Sequence, residues 1–218
     1  ICKGVKPKFY FISGSGNKKT FTKKNLYKIS KSLESEQNKF NIYLCGGDTT
    51  FSNQLSFTIT SMGYSNKIVY RNKAKLDDDI YVTGNLGDSY LGLRLLKNKA
   101  NIKKKDKLFF INNYYKPKLP FNLTQYLLKF ANSSIDISDG LIDDLSKMIN
   151  RQNLSFHLFE NKIPVSKKLD QLIKKQKLNK INLISKGDDY QVLFTADCNK
   201  SRIIQNASKT TGIKITKI

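Results

Sequence analysis

Between Ser133 and Leu145 the hydrophobic period of the chain changes, and that change limits what it can fold into. Ile135 and Ile137 alternate with Ser134, Asp136 and Ser138, the two-residue period of a half-buried strand. Beyond Asp139-Gly140 the apolar positions are Leu141, Ile142, Leu145, Met148 and Ile149, which is helical spacing. A strand that runs through a tight turn into a helix is a unit of an α/β or α+β layer. The same stretch concentrates acid, with Asp136 and Asp139 at the junction and Asp143 and Asp144 in the first helical turn. Carboxylates there suit the positive end of a helix, but four so close repel one another unless a cation or hydrogen-bond donors intervene. Two readings follow. A hard divalent cation could gather these oxygens, or Asp139 caps the helix while Asp143 and Asp144 form its solvated face.

A second acidic, glycine-rich stretch, Gly46-Gly47-Asp48-Thr49-Thr50, follows the apolar run Ile42–Cys45 and reads as a turn after a strand. Around it, Lys8–Ile12 reads as a strand, Ser13–Lys19 as a flexible connection, and a helix capped by Thr20 or Thr22 runs to about Gln37. Leu26, Ile29 and Leu33 fall on the expected buried face of that helix, and Leu55–Met62 alternates as a long strand. Ile80–Thr83 is a strand ending in Gly84-Asn85-Leu86-Gly87-Asp88-Ser89, where Asp88 is a candidate cap for a helix to about Lys97. Asn98–Lys107 reads as a lysine-rich exposed stretch, and Leu123–Phe130 as a helix. Leu154–Phe159 alternates as a strand carrying the single histidine, His157. Val165–Ile173 is a short amphipathic helix, followed by a third acidic turn, Lys186-Gly187-Asp188-Asp189-Tyr190, before the strand Val192–Thr195. A helix over about Asn199–Ser208 and a strand over Ile213–Ile218 complete the pattern.

Composition narrows the function classes. With 218 residues, 39% hydrophobic and 26% charged, the chain has the make-up of a folded globular protein. No apolar run approaches the roughly 20 residues of a membrane span. Three widely separated cysteines provide neither a disulfide framework nor a zinc spacing, and fit a reducing, cytoplasmic setting. The net charge of +22 raises nucleic acid as a partner, but 35 of the 39 basic residues are lysines spread over nearly every segment. Arginine is the residue favoured for bidentate phosphate and base contacts, and only Arg71, Arg94, Arg151 and Arg202 are present. The charge reads as compositional bias rather than as a binding footprint.

The order of the motifs is more specific than any one of them. YLCGGDTT, then YVTGNLGDSYLGL, ANSSIDISDGLIDDL and KGDDYQVLFT closely resemble thiamine-monophosphate kinase, of the superfamily that includes aminoimidazole ribonucleotide (AIR) synthetase and selenophosphate synthetase. The resemblance implies an α/β, AIR-synthetase-like fold of two domains with mixed sheets flanked by helices. Residues 1–66 would be the remainder of an N-terminal, ATP- and magnesium-binding, dimer-forming domain, and residues 67–218 a C-terminal α/β domain. It implies transfer of the ATP γ-phosphoryl group to thiamine monophosphate with Mg²⁺, by a cytoplasmic homodimer. Carried over by position, Asp48, Asp136 and Asp139 match magnesium ligands, and Gly47, Asp48, Arg71 and Ser138 match ATP contacts. Asp188 and Asp189 lie in the turn that matches the substrate side. No catalytic nucleophile is implied, because phosphoryl transfer rests on positioning and electrostatics.

The chain also departs from that pattern. It opens without Met, and the resemblance leads one to expect a further N-terminal segment with more metal-binding aspartates, and a C-terminal end completing the substrate pocket. Asp77 stands where a turn glycine is common, Lys186 replaces a glycine, and Asp188 a glutamate. Two alternatives remain at this stage: another ATP-dependent synthetase of the superfamily, or a non-catalytic basic fragment that binds nucleotide or nucleic acid.

Overall fold

A computed structural model describes residues 1–100 and 102–218. It comprises two compact units, Val5–Asn66 and a larger one made of Ile1–Gly4 together with Lys67–Ile218.

In the smaller unit Phe9–Gly16 forms β1, Lys23–Phe40 α1, Tyr43–Phe51 β2 and Ser56–Met62 β3. β1 is central, parallel to β2 and antiparallel to β3, and α1 is the crossover that the parallel pair requires. The hydroxyl of Thr22 accepts the Asn25 amide to start α1, and Asn41, at φ +52°, ends it in the left-handed region.

Three expectations are corrected here. Ser13–Gly16 is no flexible connection but the second half of β1, in register with Asp48–Phe51 on one side and with β3 on the other. Gly46–Thr50 is no turn but the middle of β2, entered through a bulge at Cys45. The glycines that suggested a turn serve strand contact instead: a Cβ on Gly47 would lie 1.7 Å from the Ile12 carbonyl oxygen. Leu26, Ile29 and Leu33 are not buried; Leu26 is 46% exposed. Within this unit only Tyr10, Gly14 and Gly16 are buried, and Phe11, Leu44, Phe57, Ile59 and Met62 of the sheet stay exposed.

The larger unit is a layered α/β structure. Its strands are β4 (Asp79–Thr83), β5 (Ser133–Asp136), β6 (Val192–Ala196) and β7 (Ile215–Lys217), in the order β5-β6-β4-β7 with antiparallel pairing throughout. Alternation along the strands splits the core. Val82, Ile135 and Leu193 face α5 (Leu141–Ile149) through Leu141, Leu145 and Met148. Tyr81, Val192, Phe194 and Ala196 face α4 (Thr124–Phe130) and α8 (Ser201–Thr211). A third cluster joins α2 (Asp88–Leu96), α3 (Lys104–Tyr115), α6 (Lys167–Gln176) and α7 (Lys180–Ile184) through Leu91, Leu95, Phe110, Leu169 and Leu183.

One sequence reading fails in this unit, and one helix escapes the sequence pattern. The lysines of Asn98–Lys107, whose Asn101 lies outside the described residues, are exposed as expected, and the stretch leads into α3. Phe110 of that helix is fully buried, but the exposed Leu108 blurs its periodicity. Leu154–Phe159 forms no strand. Leu154, Phe156 and Leu158 still turn inward and His157 outward, so the alternation reports an extended segment lying on the core without a ladder partner.

Phe110 anchors the third cluster, and Gly92 of α2 lies so close to it that a Cβ there would sit 2.2 Å from the Phe110 carbonyl oxygen. Phe110→Ala should therefore cost about 3–5 kcal/mol of unfolding free energy, read from chemical denaturation. A loss below about 1 kcal/mol would show that α3 is dispensable to the core.

Candidate functional site

The functional candidates of the larger unit gather because β6 runs antiparallel to both of its neighbours. The C-terminal ends of β4 and β5 therefore meet the N-terminal end of β6 at one edge of the sheet. Main-chain pairing continues past the strands there. Ile137 donates its amide to the Gln191 carbonyl at 2.8 Å, Tyr190 to Ile137 at 2.8 Å, and Asp188 to Ser138 at 2.9 Å. The two turns are in van der Waals contact through their glycines. A Cβ on Gly187 would lie 1.5 Å from the Ser138 carbonyl oxygen, and one on Gly140 2.3 Å from that of Ser185. So Asp136, Ser138 and Asp139 share one edge with Asp188 and Asp189. Arg71 is not brought to that edge: its main chain lies beside the first residues of β5, where Tyr70 accepts the Ser134 amide and the Ser133 hydroxyl donates to the Arg71 carbonyl.

One acid of the four-aspartate stretch shapes the turn, and it is not Asp139. The Asp144 carboxylate is buried, and its Oδ2 accepts the amides of Ser138, Asp139 and Gly140 at 2.9, 2.9 and 3.1 Å. These are amides that open the turn before α5 and would otherwise lack partners. The expected cap at Asp139 and the solvated face at Asp144 are thus both corrected. Only Asp143 is solvated as expected. The available signal was Asp144's place three residues after Leu141 and one before Leu145, on the apolar stripe itself. Lys147, a turn further along, pairs with Asp144 at 2.8 Å and also with the exposed Asp139. These two hydrogen bonds, the one to Asp139 foremost, hold the Lys147 ammonium above its usual pKa. Asp136 is half-buried, and the Cys2 thiol donates to its Oδ1 at 3.7 Å.

The glycine turn after β4 joins the same edge from the other side. The Thr83 hydroxyl donates to Gln191 Oε1 at 2.8 Å, and the Gly87 amide donates to Asp189 Oδ2 at 2.8 Å. Asp88 is not the cap expected of it; it is the first residue of α2 and accepts the Ser166 hydroxyl at 2.7 Å. Asp88 and Asp189 are both buried and line a cavity of about 310 Å³ with Ser89, Asn113, Lys118 and Gln191. Burial raises the Asp88 carboxyl to about 6. Burial, reinforced by the charge of Asp88, raises Asp189 to about 7. Asp188, by contrast, is half-buried, at φ +67°.

Gly47 and Asp48 belong to the smaller unit, on β2. Asp48 is exposed, in register with Ser13, and its Oδ1 accepts the Thr49 amide at 2.7 Å. Among the described residues, no group of three or more His, Cys, Asp or Glu side chains is gathered so as to hold a metal ion. Nor, among them, is any helix long and apolar enough to cross a membrane.

No protein-family model matches the chain. Curated proteins do. Thiamine-monophosphate kinase of Buchnera aphidicola subsp. Acyrthosiphon pisum is 38% identical over 174 residues, 78% of this chain and 53% of that protein. This chain is a relative of the thiamine-monophosphate kinases. Solved structures agree: thiamine-monophosphate kinase of Stenotrophomonas maltophilia superposes with a TM-score of 0.89 at 26% identity, covering 100% of this chain and 70% of that one. AaThiL, complexed with AMPPCP and TMP, superposes with a TM-score of 0.87 at 25% identity, covering 100% and 68%. The fold is therefore that of the AIR-synthetase-like thiamine-monophosphate kinases, as the motif order implied. The chain spans about half the length of the curated kinases that it matches first.

Two outcomes test this edge. Gly187→Ala must push the turns apart, and should cost several kcal/mol (about 3 or more) in thermal or denaturant unfolding; a neutral result would mean that the turns are not interlocked. Asp189 carries the pH test. A carboxyl raised from 3.8 to about 7 binds more protons folded than unfolded. Its stabilising contribution is complete below about pH 4 and lost as pH rises through about 7. Asp189→Asn, which keeps an acceptor for the Gly87 amide, should remove most of that slope. An unchanged slope across the window would place the proton elsewhere.

Proposed function

We propose that the chain acts in the ATP-dependent phosphorylation of thiamine monophosphate to thiamine diphosphate, a step of thiamine biosynthesis. The γ-phosphoryl group passes directly to the acceptor's phosphate, whose own oxygen is the nucleophile, leaving ADP. The observation that carries the reading is the interlocking of the Ser138–Gly140 turn with the Gly187–Asp189 turn. It gives a metal- and nucleotide-side loop and a substrate-side loop a common, main-chain-fixed frame. The relatives' identity and the AMPPCP- and TMP-bound neighbour support the same assignment.

In this reading Asp48, Asp136 and Asp139 hold Mg²⁺, while Gly47, Asp48, Arg71 and Ser138 contact ATP. Asp188 and Asp189 belong to the thiamine-monophosphate side. Residues 1–66 form the nucleotide-, metal- and dimer-forming part of a cytoplasmic homodimer, and residues 67–218 the second α/β domain. The exposed apolar sheet residues of the smaller unit support the dimer. The donor set suits Mg²⁺, which takes hard oxygen ligands and commonly binds one or two carboxylates plus substrate phosphates, without a closed protein cage. When bound, the ion neutralises charge on the triphosphate and the acceptor phosphate. Asp144 keeps the Ser138–Gly140 main chain rigid, so that Asp139 projects from a fixed turn. Arg71, with an exposed side chain, adds positive charge for the phosphates.

Thermal unfolding with Mg²⁺ and a non-hydrolysable ATP analogue tests this. Binding to the folded state alone should stabilise it by about 2.7 kcal/mol at a hundredfold excess over Kd. Asp139→Asn should remove most of the Mg²⁺-dependent part. A ligand-induced rise that Asp139→Asn leaves intact would withdraw Asp139 from the metal site, and a rise without any Mg²⁺ requirement would withdraw the metal.

A further inference from the structure

The ion pair between Lys147 and Asp139 has no part in shaping the turn, because Asp144 alone gathers the three amides. Lys147 lies eight residues beyond Asp139. Its ammonium reaches back along the first turns of α5 to two acids at once, Asp144 Oδ1 at 2.8 Å and Asp139 Oδ2. The two partners differ. Asp144 is buried, at 1% side-chain exposure, whereas Asp139 is 62% exposed and Lys147 40% exposed. The ammonium therefore sits at the open mouth of the turn, against a carboxylate that faces solvent. Among the described residues, Lys147 is the only cation paired with Asp139.

We propose that Lys147 is a built-in competitor of the metal at Asp139, a tethered cation that holds this carboxylate until a divalent ion displaces it. The inference rests on the reading that Asp139 is a metal ligand. Its physical basis is direct. The ammonium on Oδ2 draws charge from the carboxylate, competes with a hard cation for that oxygen and, by its own charge, repels the incoming ion. Once displaced, Lys147 keeps its contact with the buried Asp144, so the turn need not be rebuilt. Lys147 is thus a positioning and tuning residue: it sets how much free metal is needed before the carboxylate is occupied. An exposed pair of this kind carries modest energy, so the expected effect is a few-fold change in metal affinity rather than a switch.

Mn²⁺ alone, followed by electron paramagnetic resonance of the free ion, measures the affinity without turnover. Lys147→Met should tighten Mn²⁺ binding about two- to fivefold. Lys147→Gln, which keeps a donor for Asp144, should do the same and stands in should the Met variant not fold. Lys147→Arg should stay near wild type. Lys174→Met, which removes an equal charge from the exposed α6 pair with Asp170, should leave the affinity unchanged and so separates local competition from net charge. Unchanged or weaker binding in both neutral Lys147 variants, with Asp139→Asn binding lost, would overturn the competition while leaving Asp139 a ligand. Wild-type affinity in Asp139→Asn, or no Mn²⁺ binding by the wild type, would overturn the ligand reading and the inference together.

Discussion

A single buried carboxylate fixes the chemistry-bearing edge of the larger unit. Asp144 turns back from the first turn of α5 and gathers three successive amides of the segment that leaves β5. An ionised acid in so closed a place is tolerable only when its lone pairs are filled, and here three N–H donors and the Lys147 ammonium fill them. The arrangement also meets the common problem of a helix start, whose first amides have no intrahelical acceptors. With the turn so held, Gly140 can lie against Ser185, Gly187 against Ser138, and the strand order brings the remaining acids to the same rim.

Much of this was legible in the sequence, and what was not has identifiable causes. The switch of period at Asp139-Gly140 gave the β5–α5 junction because Ile135, Ile137, Leu141, Leu145 and Met148 all enter one core cluster. β5 is nevertheless not the half-buried strand expected, since Ser133 and Ser134 are buried as well. The threonine cap of α1 was legible, down to two candidates of which the structure uses Thr22, because capping is local chemistry. Gly46–Thr50 misled because a glycine needed for strand-to-strand approach looks the same, in one dimension, as a glycine needed for a turn; only the Ile12 carbonyl distinguishes them. α3 was hidden because its buried anchor, Phe110, stands among lysines and beside an exposed leucine. At Leu154–Phe159 the alternation was real but its cause was packing, and among the described residues the segment pairs with no strand.

The acids of the candidate site divided along a line that residue type alone does not draw. Asp139 faces solvent, Asp136 is half-buried beside the Cys2 thiol, and Asp144, Asp88 and Asp189 are internal. Ligand chemistry and scaffold chemistry call on the same side chain here. Burial tells them apart: internal aspartates accept amides or hydroxyls, and those at the rim keep oxygen lone pairs to offer. Asp189 does both in part, since it clasps the Gly87 amide and also faces a cavity.

The interlock of the two turns is made of main-chain atoms and absent side chains, not of particular functional groups. That makes it indifferent to what decorates the loops. Lys186 and Asp188 sit on either side of Gly187, yet neither side chain takes part in the contact with Ser138. The reach of an acid at position 188, or the charge at 186, is therefore free to drift while the spacing between the loops stays constant. A scaffold of this kind separates the distance between two loops from the side chains that the loops carry.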